Sequence, residues 1–185
     1  MQHAEEEHDG VDELPSPTEY LDLMSFKRTS FRLQLLQAYD IRSEREALER
    51  FKAEGACDVP AGDSRLVRQR QQLSGGRVLQ RVQVVTPPVS GYLRFAFAYF
   101  RRFTEAGEDI RIIDTALAAT DGLPGHDFVL LDDEVIIKLH HAPGSGRLIG
   151  REALANADVA RFRAHRDHAL AASIPFIEYE ARVQG

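Results

Sequence analysis

Residues 123–133, Leu-Pro-Gly-His-Asp-Phe-Val-Leu-Leu-Asp-Asp, run straight into Glu-Val-Ile-Ile-Lys-Leu-His-His. No other stretch constrains the fold as tightly. Each apolar run is short and rich in residues that suit strands, and consecutive acids separate the two. Asp is a good turn residue, because its short side chain bonds nearby backbone and tolerates a left-handed conformation. Asp127–Leu131 and Val135–His140 therefore read as neighbouring antiparallel strands, with Asp132, Asp133 and Glu134 as the turn. Pro143-Gly144-Ser145-Gly146 supplies a second turn, and a third strand from Arg147 to Glu152 completes a meander.

The remainder alternates between the two periodicities. Phe31, Leu33 and Leu35 alternate with Arg32 and Gln34, which predicts a half-buried strand. Ser43 and Glu46 have the spacing of a capping box, and Ala47, Leu48 and Phe51 follow at helical intervals up to Gly55. A loop over 55–63 leads to a second helix over 64–73, ended by Gly75-Gly76. Val78, Val82, Val84 and Val85 predict a strand stopped by Pro87-Pro88. Tyr92, Phe95, Tyr99 and Phe103 share a helical face. Leu93, Phe95, Phe97 and Tyr99 would also share a strand face. The helix is preferred, because Ser90 can cap it and Gly107 can end it. A strand at Ile110–Ile113, a short helix from Asp114 to Thr120, and a last helix capped by Asn156 follow. That last helix places Val159, Phe162, Arg166, Ala169 and Leu170 on one side. Phe176–Tyr179 is expected as a short edge segment.

These elements make a mixed α/β (α+β) fold with a largely antiparallel sheet and flanking helices. Residues 1–17 are acidic and apolar-poor and read as a disordered tail, and an opening helix is expected from Thr18 to Phe26. One domain should span 18–180, with subregions 18–107 and 108–180.

The chain has 29 acidic and 23 basic residues, a formal charge of −6. That balance does not favour non-specific nucleic-acid binding. Arg65, Arg68, Arg70, Arg77 and Arg81 nevertheless fall close together, as a local anion- or partner-facing patch or simply a solvated helix face. No apolar run approaches the roughly 20 residues that span a bilayer. The N-terminus lacks the basic and apolar regions of a signal peptide, and the one cysteine, Cys57, stands in no metal spacing. A cytoplasmic location is expected, with no membrane association and no cofactor.

Histidines 126, 140, 141, 165 and 168 lie in the C-terminal half. His165 and His168 share a helix face, but nothing fixes the further ligands zinc needs, so no metal site is assigned. Pro143–Arg147 lacks the lysine and the strand–helix context of a P-loop. No nucleophile elbow is legible.

The segments Phe31-Arg32-Leu33, Tyr92-Leu93-Arg94-Phe95, Ala106–Arg111, Gly122-Leu123-Pro124, His126-Asp127-Phe128, Leu139-His140, Arg166-Asp167 and Ile174-Pro175 carry a resemblance, over Phe31–Tyr179, to an uncharacterised actinobacterial domain family. Its members are encoded near WhiJ-type helix-turn-helix regulators and small BldB-like proteins. The resemblance implies an accessory role in a developmental or toxin–antitoxin-like system, without defined catalytic residues. The chain departs from the family in having Val129 and Leu170 where Trp is usual, and Ala96 where an acid is common.

A second resemblance concerns 108–180. The element order there is similar to one half of a phospholipase D-like fold, whose motif is HxKxxxxD. His126 and Asp133 stand in register, but Phe128 replaces the lysine. Losing that cation removes much of the stabilisation of charge developing on phosphorus. The resemblance thus implies a degenerate, non-catalytic copy, in which Arg147 is a conceivable substitute cation.

A non-enzymatic regulatory protein that binds a helix-turn-helix regulator or a BldB-like partner is the leading expectation. A small-ligand or anion sensor using a pocket near His126 and Asp133 comes second, and a phosphodiesterase or nuclease third. The candidate contact residues are His126, Phe128, Asp133, His140, Arg147, Arg94 and Arg166. Arg161, Arg163 and Arg166 on the last helix lack a paired helix-turn-helix, so direct DNA reading is not expected. A homodimer is compatible with the phospholipase D-like likeness.

Overall fold

The computed structural model describes residues 25–154 and 158–184. The acidic tail, the opening helix up to Met24 and the Asn156 cap lie outside them.

Strand β1 (Thr29–Gln34) is followed by a 3-10 turn (Arg42–Glu44) and helices α1 (Arg45–Glu54) and α2 (Ser64–Ser74). Strand β2 (Val78–Val85), helix α3 (Gly91–Glu105) and strand β3 (Asp109–Asp114) come next. The meander is β4 (Phe128–Leu131), β5 (Val135–His141) and β6 (Leu148–Leu154). Helix α4 (Val159–Ala172), the two-residue strand β7 (Ile174–Pro175) and helix α5 (Phe176–Gln184) complete the chain.

Among the described residues the strands form one open sheet in the order β6-β5-β4-β1-β2-β3-β7. β1 with β2 and β2 with β3 are parallel, and every other pair is antiparallel. The sheet is thus mixed and largely antiparallel, as expected. Strands from both subregions interleave in it, so 18–107 and 108–180 share a single sheet.

Alternation sorts the side chains to two faces. Phe31, Leu33, Val82, Val84, Ile113, Phe128, Leu130 and Ile136 meet Phe162 and Ala169 of α4 on one face. On the other, Val85, Ile110 and Ile112 meet the aromatic stripe of α3 and Phe176 and Tyr179 of α5. A smaller cluster of Phe26, Leu79, Val129, Leu131 and Ile137 continues that second core toward β5.

Several details differ from expectation. The aromatic segment is a helix, capped by Ser90, whose Oγ accepts the Leu93 N–H at 3.0 Å. Ser43 and Glu46 form no capping box. The chain enters α1 through the 3-10 turn without a side-chain cap, and Asp40 instead grips the first helical residue, Arg45, at 2.8 Å. Residues 115–120 hold turns rather than a short helix. The Asp114 carboxylate accepts the Ala116 N–H there at 2.8 Å, a local bond that competes with helix propagation. The edge segment is confined to Ile174–Pro175, and Phe176–Tyr179 opens α5. Phe176 and Tyr179 lie three apart, which puts both rings on one helical face against Phe97.

Candidate functional site

The residues singled out around His126 occupy the α4 face. Phe128 is fully buried and its ring meets Phe162 edge-on at 4.8 Å, so the position that would carry the motif lysine is core. His126 lies against the same Phe162 ring at 6.0 Å, and its buried Nε2 has no hydrogen-bond partner among the described residues. Burial, then the nearby charges of Lys138 and the neighbouring basic groups, pushes its pKa below the usual imidazole value. Lys138 is the register partner of Phe128 and therefore stands on the same face as His126. The carboxylate that would steady His126 is engaged elsewhere: Asp133 pairs with Arg166, and its carbonyl accepts from Arg163 Nε at 2.9 Å. His140 contacts Glu152 at 2.9 Å. The structure thus brings His126, Phe128 and Asp133 to the α4 side but does not couple imidazole to carboxylate.

The acidic turn is structural. Asp132 and Asp133 both have positive φ, 52° and 60°, and Glu134 N–H closes the turn onto Leu131 O at 2.9 Å. The Asp132 carboxylate accepts N–H groups from Lys27, Arg28 and Thr29 at 2.7, 2.6 and 2.9 Å, which pins the start of β1. Partial burial would raise the Asp132 pKa, but these three donors outweigh it and lower it.

Arg147 and Arg94 sit apart from this group. Arg147 follows the Pro143–Gly146 turn, which is a plain hairpin: Ala142 N–H donates to Arg147 O at 2.8 Å. Gly146 has φ +67°, and a Cβ there would stand 2.3 Å from the Ala38 carbonyl oxygen, so the hairpin rests directly on the loop after β1. Arg94 borders a shallow hollow with Leu48, Phe51, Lys52 and Tyr92.

A cavity lies on the opposite face of the sheet, between it and α2. It measures about 580 Å³, within the usual size of small-molecule sites. Its floor follows from strand alternation. Ser30, Arg32 and Gln34 of β1 stand in register with Leu79, Arg81 and Gln83 of β2, all on the face away from Phe31 and Leu33. Its roof follows from helical spacing. Arg65, Arg68, Gln69 and Gln72 recur at intervals of three, one and three residues and form a single stripe on α2. Asp63 starts that helix by accepting the Arg65 and Leu66 N–H groups at 2.9 and 3.3 Å. Tyr92, Ala96, Tyr99, Phe100 and Phe103 of α3 form the back wall. A helix laid over a sheet ordinarily turns an apolar stripe inward. Here both facing surfaces carry arginine and glutamine.

Among the described residues, five arginines and two glutamates line the cleft, an excess of positive charge in a chain of net charge −6. Arg32 and Arg81 are direct register partners, a like-charged juxtaposition that disfavours the sheet unless something offsets it. Glu108, only 6% exposed, offsets one: Arg81 Nε donates to it at 2.8 Å, and Gln69 Nε2 donates to its other oxygen. Gly107, at φ +110°, turns the chain after α3 so that Glu108 reaches this position. Glu44 takes Arg65 and the Tyr92 hydroxyl, the latter at 2.8 Å. Arg65 also lies flat over Tyr99, 3.8 Å from the ring centre.

Among the described residues, Arg68 and Arg77 face no carboxylate. Arg77 is held instead by the carbonyls of Gln72, Phe26 and Gln71 at 2.8, 3.4 and 3.3 Å, which fixes its position without neutralising it. Gln69 Nε2 also bonds Phe103 O at 3.4 Å, so its amide is oriented and its buried Oε1 is left without a donor. Burial raises the pKa of Tyr39, Tyr92 and Tyr99, and Asp127 and Glu44 add to the rise at the first two, so all three remain neutral phenols.

The sequence groups Arg65, Arg68, Arg70, Arg77 and Arg81 as a patch or a solvated helix face, and of these all but Arg70 line the cleft; it does not single out Arg32, the glutamines or the cavity. The signal was present: the polar positions of β1 and the stripe on α2 are each evident from periodicity. What one sequence does not reveal is that these two polar surfaces face each other.

Among the described residues, no cluster of three metal-ligating side chains is present, and no helix is long and apolar enough to cross a membrane. No curated protein and no solved structure matches the chain. The family model for a domain of unknown function, DUF6879, matches residues 19–181. That span takes in every strand of the sheet and every wall of the cleft, and the chain belongs to this family.

Proposed function

We propose that this protein is a non-enzymatic, ligand-binding accessory domain that holds a small anion in the cleft between α2 and the sheet. The observation that carries the reading is the inward-turned Arg/Gln stripe of α2 over an Arg/Gln floor. Gln69 and Gln83 are buried and Arg32, Arg65, Arg77 and Arg81 partly so, which is costly unless something satisfies them, while Arg68 stays exposed. Arginine suits the task, since its planar fork matches carboxylate and phosphate oxygens and stays charged.

The link to an actinobacterial regulatory system, with a WhiJ-type helix-turn-helix or BldB-like partner, rests on the sequence resemblance alone. In that reading the cleft reports a metabolite to the partner. A diesterase built on His126 is not favoured, because Asp133 is committed to Arg166 and Phe128 to the core.

The test is a thermal-shift and calorimetric screen of small anions, both phospho-compounds and polycarboxylates, against neutral sugars. An anion at about 100 times its Kd should stabilise the fold by about 2.7 kcal/mol. The effect should shrink with added salt and with Arg68→Ala. Indifference to every anion at low ionic strength would refute the proposal. A tagged protein that retains its regulator equally with and without the anion would refute the reporting role.

A further inference from the structure

The cleft has two unlike ends. Helix α2 doubles back into β2 through Gly75-Gly76, so Gln72 lies beside Arg77 and Phe26 at one end. Arg65 lies at the other, with Glu44, Tyr99 and Tyr92. The cations that meet no carboxylate among the described residues, Arg68 and Arg77, belong to the middle and the Arg77 end. At the Arg65 end the charges are already matched and the surface is aromatic, with the Tyr39 and Tyr92 rings inclined at 59° to each other. Tyr39 and Tyr92 are 5.9 Å apart there, and Glu44 keeps accepting capacity beyond its bonds to Arg65 and Tyr92.

From this polarity we infer, building on the anion-binding reading above, that the ligand class is a nucleoside polyphosphate. The phosphates lie toward Arg68 and Arg77, with Arg32 lining the floor between the ends. The base lies at the tyrosine end, against the Tyr39 and Tyr92 rings, with an exocyclic amine N–H donated to Glu44. Several phosphates suit the uncompensated charge better than one. A planar heterocycle suits a wall of rings, where a base–aromatic contact adds affinity without strict dependence on the base.

The experiment compares three probes by calorimetry on the full chain in low-salt, magnesium-free buffer: ATP and GTP, the nucleosides alone, and tripolyphosphate. The expected result is that nucleotides bind at least about tenfold more tightly than tripolyphosphate, with nucleosides weakest. Arg68→Ala should weaken nucleotides and tripolyphosphate alike by about tenfold. Tyr92→Leu should weaken nucleotides only, and the wild-type probe comparison decides the matter if that variant does not fold. Tripolyphosphate binding as tightly as ATP and GTP would overturn the nucleotide inference while leaving the anion cleft standing. So would a polycarboxylate that binds where no phosphate does. Failure of every anion would remove both.

Discussion

Asp132, expected from the sequence as a turn residue, also holds the chain together. Two adjacent aspartates on a tight turn have the composition of an acid–base or magnesium site. Yet Asp132 spends its oxygens on three consecutive backbone N–H groups at the start of β1. Asp132→Ala should cost about 2 kcal/mol, the scale of hydrogen bonds to a charged acceptor, read as a lowered denaturant midpoint. An unchanged midpoint would show that the turn stands without this anchor. The turn itself was legible from Asp132 and Asp133, because left-handed backbone favours short polar residues. The anchoring was not, since its donors lie more than a hundred residues away and are backbone atoms that leave no trace in residue identity.

At the scale of elements, period-two and period-3.6 patterning located the strands and helices well, because each buries one face. It failed where a local bond intervened, as at Asp114, and where a short apolar segment fitted either period, as at Phe176–Tyr179. It also could not show that the polar face of β1 is roofed by α2. The Arg81–Glu108 pair between those layers is buried, with side-chain exposures of 16% and 6%. Arg81→Met should cost about 3 kcal/mol, because it strands a carboxylate in a dry site, whereas Arg81→Met with Glu108→Leu should recover much of that loss. Chemical denaturation of the two variants compares them directly. Equal losses in single and double variants would mean that the pair is not the organising contact of that layer.

For the molecule as a whole, the pH dependence of stability follows from histidines held neutral. Burial lowers the pKa of His126 and of His141 in the folded state. The unfolded chain then takes up protons first as the pH drops below about 6.5, the ordinary imidazole value, and stability falls from there toward the depressed folded pKa. Asp127 works in the opposite sense, because its raised pKa favours the folded state when protonated, so His126 is the cleaner probe. Melting temperatures should drop between pH 7 and 5, with a shallower slope in His126→Asn. An identical slope would assign the acid lability to other groups.

The loop after β1 ties distant parts together. Tyr39 lines the cleft and donates at 2.6 Å to Asp127, which is 2% exposed and also accepts the Leu35 N–H at 2.8 Å. One residue earlier, the Ala38 carbonyl leaves no room for a side chain on Gly146. Anything that displaces the phenol must therefore either break its grip on the root of β4 or shove the β5–β6 hairpin. The wall of the cleft is thus joined through two neighbouring residues to the root of β4 and to the turn that leads into the outermost strand.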